Sequence, residues 1–375
     1  MKRKRIVAVL MAVMMMTGAL LAGCDKKNSE TSVSGSDVSS DTGLSIDFDP
    51  NAPTTVETAK KMSFENNYDQ AAIEQMNKVV TIHGMTFTKL EYNYYYANEY
   101  TNIYSIYMQS PQSVPMTDAG FIDLSAEMTE GETLGDYLND VVVSDLQGEV
   151  YLLEYAQKFN LELDDEINKR INEMIDATRE TAEGYGMTLD DYLKSYYGPD
   201  ATEAGIREVL QRYELVNVAM KHYVENCKFA EGEDQLPVVY HVLYTTMDLA
   251  TGTDLPEDQQ EEAKKKADAL LAAVKTLDDM KTKGEEGKTA GEVAEAAQYT
   301  VSRGQMVQEF EDWCFADHKV GDTGIVKTTY GYHVMYFVGT EQADEKTKQS
   351  MAFDKLQEEL QTAFEGGDYV PAYAE

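Results

Sequence analysis

The chain has 375 residues, with 32 basic side chains against 67 acidic ones and a formal net charge of −35. That imbalance argues against nucleic acid and anionic lipid headgroups as partners, because both are themselves negative. Three cysteines offer no disulfide framework, and the length leaves room for two domains beyond the N-terminal region.

The N-terminus carries a basic cluster from Lys2 to Arg5, then an apolar run from Ile6 to Leu21 broken only by Thr17 and Gly18. A membrane span needs about 20 apolar residues, so this pattern is that of a secretory signal. Leu21, Ala22, Gly23 and Cys24 together resemble the bacterial lipobox. The resemblance implies that residues 1–23 are removed as a signal peptide and that Cys24 is lipidated. The protein would then be held on the extracytoplasmic face of the cell membrane. Residues 24–63 read as a flexible tether: from Asp25 to about Thr55 the composition turns to Ser, Thr, Gly, Asp and Asn, which cannot bury enough apolar surface to order itself. Such a tether reaches about 30 Å. Asp47 to Asn51 opens like a calcium loop, but Ala52 occupies the position that requires glycine, which argues against calcium.

Residues 64–232 read as mostly helical. Val79 to Gly84 is a short strand and turn, and Thr88 caps a helix whose Tyr92, Tyr96, Tyr100, Tyr104 and Tyr107 fall at successive turns. That stripe fits two readings, a core face or a peptide-gripping groove, since tyrosine joins a large apolar body to a polar tip. Ser110 to Gly131 is a long loop with Pro111 and Pro115. Helices follow at Leu134 to Phe159, Asp165 to Gly184, Thr188 to Tyr197 and Thr202 to Asn226. Thr188 and Asp191 have capping-box spacing, and Gly198 with Pro199 stops the third of these.

Residues 236–340 change character. Val238 to Tyr244 is a strand behind Pro237, and Pro256 starts a helix with acidic residues first and Lys264 to Lys266 after them, which suits the helix dipole. Ala263, Ala267, Leu270, Leu271, Val274 and Leu277 form its apolar stripe. Gly287, Lys288 and Thr289 lack the earlier glycine and the preceding strand of a phosphate loop. Ala290 to Gln298 reads as helix. Met306, Phe310 and Trp313 recur at i, i+4 and i+7 on one helix face, and the helical pattern breaks at Gly321 to Gly324. Val334, Tyr336 and Val338 alternate with His333, Met335 and Phe337, a strand with the histidine on the face of two large apolar side chains. Residues 341–375 hold a last helix from Glu345 to Phe364.

The stretch from Val301 to Phe337 resembles the parvulin family of peptidyl-prolyl cis/trans isomerases. Recurrent there are a Gly-Gln-Met followed four residues later by Phe, here Gly304, Gln305, Met306 and Phe310, and a closing Gly-Tyr-His, here Gly331, Tyr332 and His333. The resemblance spans about Val238 to Val338. It implies an α+β fold whose small antiparallel sheet carries flanking helices, with no cofactor and no metal. It further implies a proline-binding cup of Met306 and Phe310 beside the catalytic set His241, His333, Thr328 and Tyr330, the last standing where serine is common. Taken from the residues alone, both histidines fit satisfied core residues equally well. The family's acidic or cysteine site residue, with the Gly-Gly-x-Leu-Gly type strand after it, has no counterpart in the sequence, and the segment before Gly304 is shortened.

The helical region, with Gly186 to Leu193 inside a helix pair, resembles the client-holding region of PrsA-like and SurA-like foldases. In that arrangement the helix of residues 341–375 packs back on the helical domain. The implied function is an extracytoplasmic, membrane-anchored foldase that isomerises X-Pro bonds in unfolded or partly folded exported proteins. A non-catalytic holdase with a degenerate parvulin domain is the alternative. A solute-binding lipoprotein would need repeated strand–helix alternation, which Leu134 to Asn226 lacks. His83, His222 and His318 have no partner at metal spacing.

Overall fold

The computed structural model describes residues 62–129 and 131–374. The signal segment, Cys24, the calcium-like loop and nearly all of the tether lie outside the described residues. Two compact units form. One takes the chain up to Asn226 and again from Phe353, and the other, Cys227–Ala352, is inserted between those parts.

The helical unit begins with two short helices, α1 (Phe64–Asn67) and α2 (Gln70–Gln75), and a hairpin of β1 (Val80–Ile82) and β2 (Met85–Phe87). Helix α3 (Lys89–Gln109) starts in a full capping box: Thr88 Oγ accepts from Glu91 N–H while the Glu91 carboxylate accepts from Thr88 N–H. Of the tyrosine stripe, Tyr92, Tyr96 and Tyr100 are buried and Tyr104 and Tyr107 half-buried. The buried hydroxyls are partnered: Tyr92 with Asn139 at 2.9 Å, Tyr96 with Gln75 at 2.9 Å, and Tyr100 accepting from Ile122 N–H at 3.3 Å. This is the core reading of the stripe, because each ring is buried only where its polar tip finds a partner.

The loop that follows is less irregular than its prolines suggest. Met116 bridges Ile122, and its end forms a hairpin of β3 (Glu127–Thr129) with β4 (Glu132–Thr133). Helices α4 (Leu134–Phe159), α5 (Asp165–Gly184), α6 (Leu189–Tyr197) and α7 (Glu203–Asn226) complete the bundle, close to the expected bounds. Their starts are fixed by Thr133, Asp164 and Thr188, whose side chains accept from backbone N–H groups three residues on.

The inserted unit is built on a sheet of order β8-β5-β10-β9. Its elements in chain order are β5 (Gln235–Thr245), a hairpin of β6 (Met247–Asp248) and β7 (Thr253–Asp254), α8 (Glu257–Ala273), α9 (Leu277–Thr289), β8 (Glu295–Thr300), α10 (Gln308–Cys314), β9 (Thr323–Lys327) and β10 (Gly331–Gln342). All pairs in this sheet are antiparallel. The long strand β10 joins β5 through Val334 opposite Val242 and Tyr336 opposite Tyr240, and those residues pack with α8 and α9 on one face. The other face holds Val239, Met335 and Phe337 against Phe310 and Cys314 of α10. Cys314 is buried and Cys227 half-buried.

Three sequence expectations fail here. The stretch from Ala290 to Gln298 is not a helix: α9 ends at Thr289, and Glu295 onward is strand β8, paired with β5. Alanine-rich sequence favours helix locally, but the ladder offered by β5 overrides it. The stripe from Ala263 to Leu277 belongs to two helices, because Val274 turns extended and Thr276 starts α9 with its own capping box. Met306 lies in the turn before α10 rather than on that helix.

Helix α11 (Glu345–Glu365) crosses into the helical unit, where Leu356 and Leu360 are buried and Glu359 accepts from Tyr223 and Tyr151. The short β11 (Ala372–Tyr373) then pairs with β1. Among the described residues no helix is long and apolar enough to cross a membrane, and the repeated strand–helix alternation of a solute-binding fold does not occur.

One buried group works against the helical unit. Asp145 of α4 is 1% exposed, and neither of its oxygens meets a hydrogen-bond partner among the described residues. Burial, then the nearby Glu99 and Glu149 carboxylates, holds its pKa well above the usual carboxylate range. A carboxyl raised on folding leaves stability intact below its unfolded pKa and subtracts from it as pH rises toward the folded value. Thermal melts of the full chain between pH 4 and 8 are therefore expected to show the helical unit weakening as pH rises, and Asp145→Asn to flatten that slope.

Candidate functional site

The sheet face under α10 carries two histidines on neighbouring strands. His241 of β5 lies opposite Met335, and His333 of β10 opposite Leu243, so the two imidazoles are diagonal neighbours on one face. Their Nδ1 atoms are 3.2 Å apart, and the rings are nearly parallel with centroids 5.3 Å apart. They are 2% and 6% exposed. Burial lowers the pKa of His241 to about 4, and burial with the neighbouring His241 ring does the same for His333. Both rings are neutral at physiological pH.

Each end of the pair has its own neighbour. The buried Thr328 Oγ lies 2.9 Å from His333 Nε2 and also accepts from Tyr330 N–H at 3.1 Å. Glu295 Oε2 stands 3.6 Å from His241 Nε2, close enough for electrostatic attraction but too long for a hydrogen bond. One proton arrangement suits this chain of contacts, with His241 Nε2 itself making no hydrogen bond. Thr328 O–H donates to His333 Nε2, His333 Nδ1–H donates to His241 Nδ1, and His241 Nε2–H faces the Glu295 carboxylate. The opposite tautomers would aim a nitrogen lone pair at that carboxylate.

Glycine places the Thr328 end. Gly331, at φ +148°, closes the turn between β9 and β10, and a Cβ there would fall 2.2 Å from the Tyr244 carbonyl oxygen. Only glycine fits so close to backbone. Thr328 N–H donates to Gly331 O across this turn at 2.9 Å.

The apolar wall comes from α10 and the turn before it. Phe310 is buried and meets both imidazoles edge-on, with centroids 5.2 Å from His241 and 5.3 Å from His333. Met306 is half-buried against the same cluster. Gly304, at φ +76°, donates its N–H to the buried Glu311 carboxylate at 2.6 Å, and Arg303 stacks its guanidinium 4.0 Å from the Phe315 ring. Glu311 thus fastens the turn that carries Met306. Cys314 is a buried free thiol, and burial followed by the Glu311 charge pushes its pKa up to about 12, so it is no nucleophile at neutral pH.

His241, His333, Thr328, Met306 and Phe310 therefore come together, whereas the Tyr330 side chain is 44% exposed and only its backbone touches the group. Glu295, Tyr299 and Glu311 escaped the sequence reading. Tyr299 sets its ring 5.3 Å from His241 and donates to Glu295 Oε1 at 2.5 Å. Glu295 was concealed because its segment reads as helix, and the signal that would have exposed it is the pairing with β5. A strand, β8, runs through the segment before Gly304, and it brings a carboxylate near the histidines. Among the described residues no cluster of His, Cys, Asp and Glu is arranged to hold a metal ion.

Residues 230–341 match the family model of the PPIC-type PPIase domain, a match that lies wholly inside the inserted unit. Comparison with curated proteins gives no significant match. Among solved structures the chain is similar to the peptidylprolyl isomerase PrsA from Bacillus cereus, at 17% identity and a TM-score of 0.28, covering 66% of this chain and 84% of that one. It is also similar to PrsA from Bacillus anthracis, at 15% identity and a TM-score of 0.27, covering 60% and 99%. A third is the foldase protein PrsA from Streptococcus pneumoniae, at 16% identity and a TM-score of 0.22, covering 64% and 93%. The family match, falling on the segment that holds the paired histidines and the Met306–Phe310 wall, makes residues 230–341 a parvulin-type peptidyl-prolyl isomerase domain.

Proposed function

We propose that the chain is an extracytoplasmic foldase, held to a membrane through a lipidated Cys24, which isomerises X-Pro bonds in unfolded or partly folded exported proteins and holds them on its helical unit. The observation that carries the catalytic part is the neutral His241–His333 pair buried against Phe310 and Met306. In this reading Met306 and Phe310 take the prolyl ring, and His241, His333 and Thr328 shape and polarise the site. Tyr330 contributes from its rim. The anchoring part rests on the lipobox-like residues Leu21 to Cys24.

The reaction explains the site's chemistry. Rotation about a peptide bond crosses a barrier of about 18–20 kcal/mol, and the two X-Pro isomers differ by only about 1 kcal/mol. No bond forms or breaks, so neither a nucleophile nor a proton donor at its pKa is needed. An apolar wall that grips the ring, beside oriented dipoles that favour the twisted amide over the planar one, lowers the barrier by differential binding. A histidine pair that stays uncharged supplies fixed dipoles without a charge to desolvate. Glu295 acts as a positioning residue by selecting one tautomer of that pair.

Two outcomes are expected. In a proline-isomerisation assay on a short X-Pro peptide, Met306→Ala lowers kcat/KM by about 10-fold, the scale of one apolar side chain of about 1–2 kcal/mol. Phe310→Ala lowers it further but also removes a buried ring, so its melting curve must accompany the rate. Wild-type rates at background, with aggregation of an unfolded client still suppressed, would leave the holdase in place of the enzyme.

Nitrogen-15 spectra of the imidazoles should report a neutral pair from pH 8 to near pH 4, with the His241 proton on Nε2, and Glu295→Gln should mix the tautomers. The same depressed pKa values give the inserted unit a pH-dependent contribution to its stability. It is complete above the ordinary histidine pKa of 6.5 and is lost as pH falls toward about 4. Mass spectrometry of the protein from its native host should find a mature chain that starts at a diacylated Cys24; a chain starting at Met1 would remove the anchor from this reading.

A further inference from the structure

The small sheet of the helical unit is completed by the segment Ala372–Tyr373. Strand β11 lies antiparallel on one edge of β1, with Tyr373 opposite Val80 and Ala372 opposite Thr81, while β2 covers the other edge. Ala374 N–H donates to Val79 O at 3.0 Å. The hold on this tail is uneven. Tyr369 is an anchor: it is buried, its hydroxyl donates to Glu154 at 2.8 Å, and its carbonyl accepts from Gln147 Nε2 at 2.8 Å. Past it the grip is slight, for Val370 is 65% exposed, Tyr373 is 48% exposed and the ladder is two residues long.

The seat beneath the tail is better built than the tail's fit to it. Lys78 Nζ lies 5.7 Å from the Tyr373 ring and 5.4 Å from the Tyr92 ring, and it donates to Asn139 at 2.8 Å. This arrangement accepts an aromatic side chain. The backbone groups of the β1 edge would accept any extended chain, since main-chain pairing carries affinity without reading sequence. The occupant, Val370-Pro371-Ala372-Tyr373, is itself a short extended segment with an aromatic residue and an X-Pro bond.

We infer that the β1 edge, with the Lys78, Tyr92 and Asn139 seat, binds an extended aromatic-bearing segment of an unfolded polypeptide, and that the tail after Tyr369 occupies this site until such a segment displaces it. The inference rests on the foldase reading for the nature of the partner. Tethered a few residues from its anchor, the tail acts at an effective concentration on the order of millimolar. It therefore screens out weak binders and yields to a segment that is abundant or held elsewhere on the same client.

The probe is a fluorescein-labelled peptide of the tail sequence with its proline replaced, Val-Ala-Ala-Tyr-Ala-Glu, so that the isomerase site takes no part. By anisotropy, a chain ending at Tyr369 should bind it at least 10-fold more tightly than the full chain. Ala372→Pro in the full chain, which takes an N–H out of the ladder, should move affinity in the same direction. Thr81→Cys with Ala372→Cys, oxidised to lock the tail, should abolish binding, and reduction should restore it to the full-chain level. Equal affinity in the shortened and full chains, no binding to either released form, or undiminished binding to the locked form would overturn the inference. Isomerase activity on a short peptide should be unchanged throughout. A chain lacking that activity but binding the probe only when released would count against the enzyme and for this edge site.

Discussion

Two imidazoles buried side by side in an apolar sheet face must be satisfied from within, and most of the inserted unit is arranged around that requirement. An unpartnered buried ring nitrogen costs about 1–3 kcal/mol; three of the four ring nitrogens have hydrogen-bond neighbours, and His241 Nε2 has none among the described residues. The Nδ1 atoms face each other, which fixes the register of β5 against β10. The Nε2 of His333 needs Thr328, which needs the turn closed by Gly331. The Nε2 of His241 makes no hydrogen bond and has the Glu295 carboxylate 3.6 Å away, brought there by β8 on the far side of β5. A shift of one residue in any of these strands would turn a ring to the α8 and α9 side and leave its partners empty.

The helical unit solves the same problem with tyrosine. Burying Tyr92, Tyr95 and Tyr96 on α3 places large apolar area in the core, but each hydroxyl must be met, and Asn139, Glu149 and Gln75 meet them. Of these only Glu149 is acidic, and it lies near Asp145, whose own oxygens have no hydrogen-bond partner among the described residues. Most buried polar groups in both units are thus met by a partner, with Asp145 and His241 Nε2 as the exceptions.

The features legible in the sequence were those written in local chemistry. Thr88 and Thr188 announce helix starts because the hydroxyl accepts an N–H three residues on, and both do so. The alternation around His333 gives the strand and the correct inward face. What escaped depends on partners far along the chain. In Glu295 to Thr300 only Tyr299 and Thr300 favour strand locally, the alanines favour helix, and the open edge of β5 decides. Met306 fits a helical repeat with Phe310, yet the positive φ of Gly304 and its bond to Glu311 hold the chain out of helix until Gln308. Tyr330 was placed by resemblance alone, and in the turn that buries Thr328 its side chain is 44% exposed.

The chain's large negative charge and its nearly uncharged site are compatible because neither mode of recognition proposed here relies on Coulomb attraction. A prolyl ring is gripped through apolar contact, and a strand edge is read through main-chain hydrogen bonds. A protein that relied on charge to find clients would be confined to those of opposite sign. One that relies on rings and backbone can carry an excess of carboxylates on its surface, where they keep neighbouring copies apart. Unfolded chains of many sequences share backbone groups, aromatic side chains and prolines, which are the features that the Phe310 wall and the β1 edge are shaped to meet.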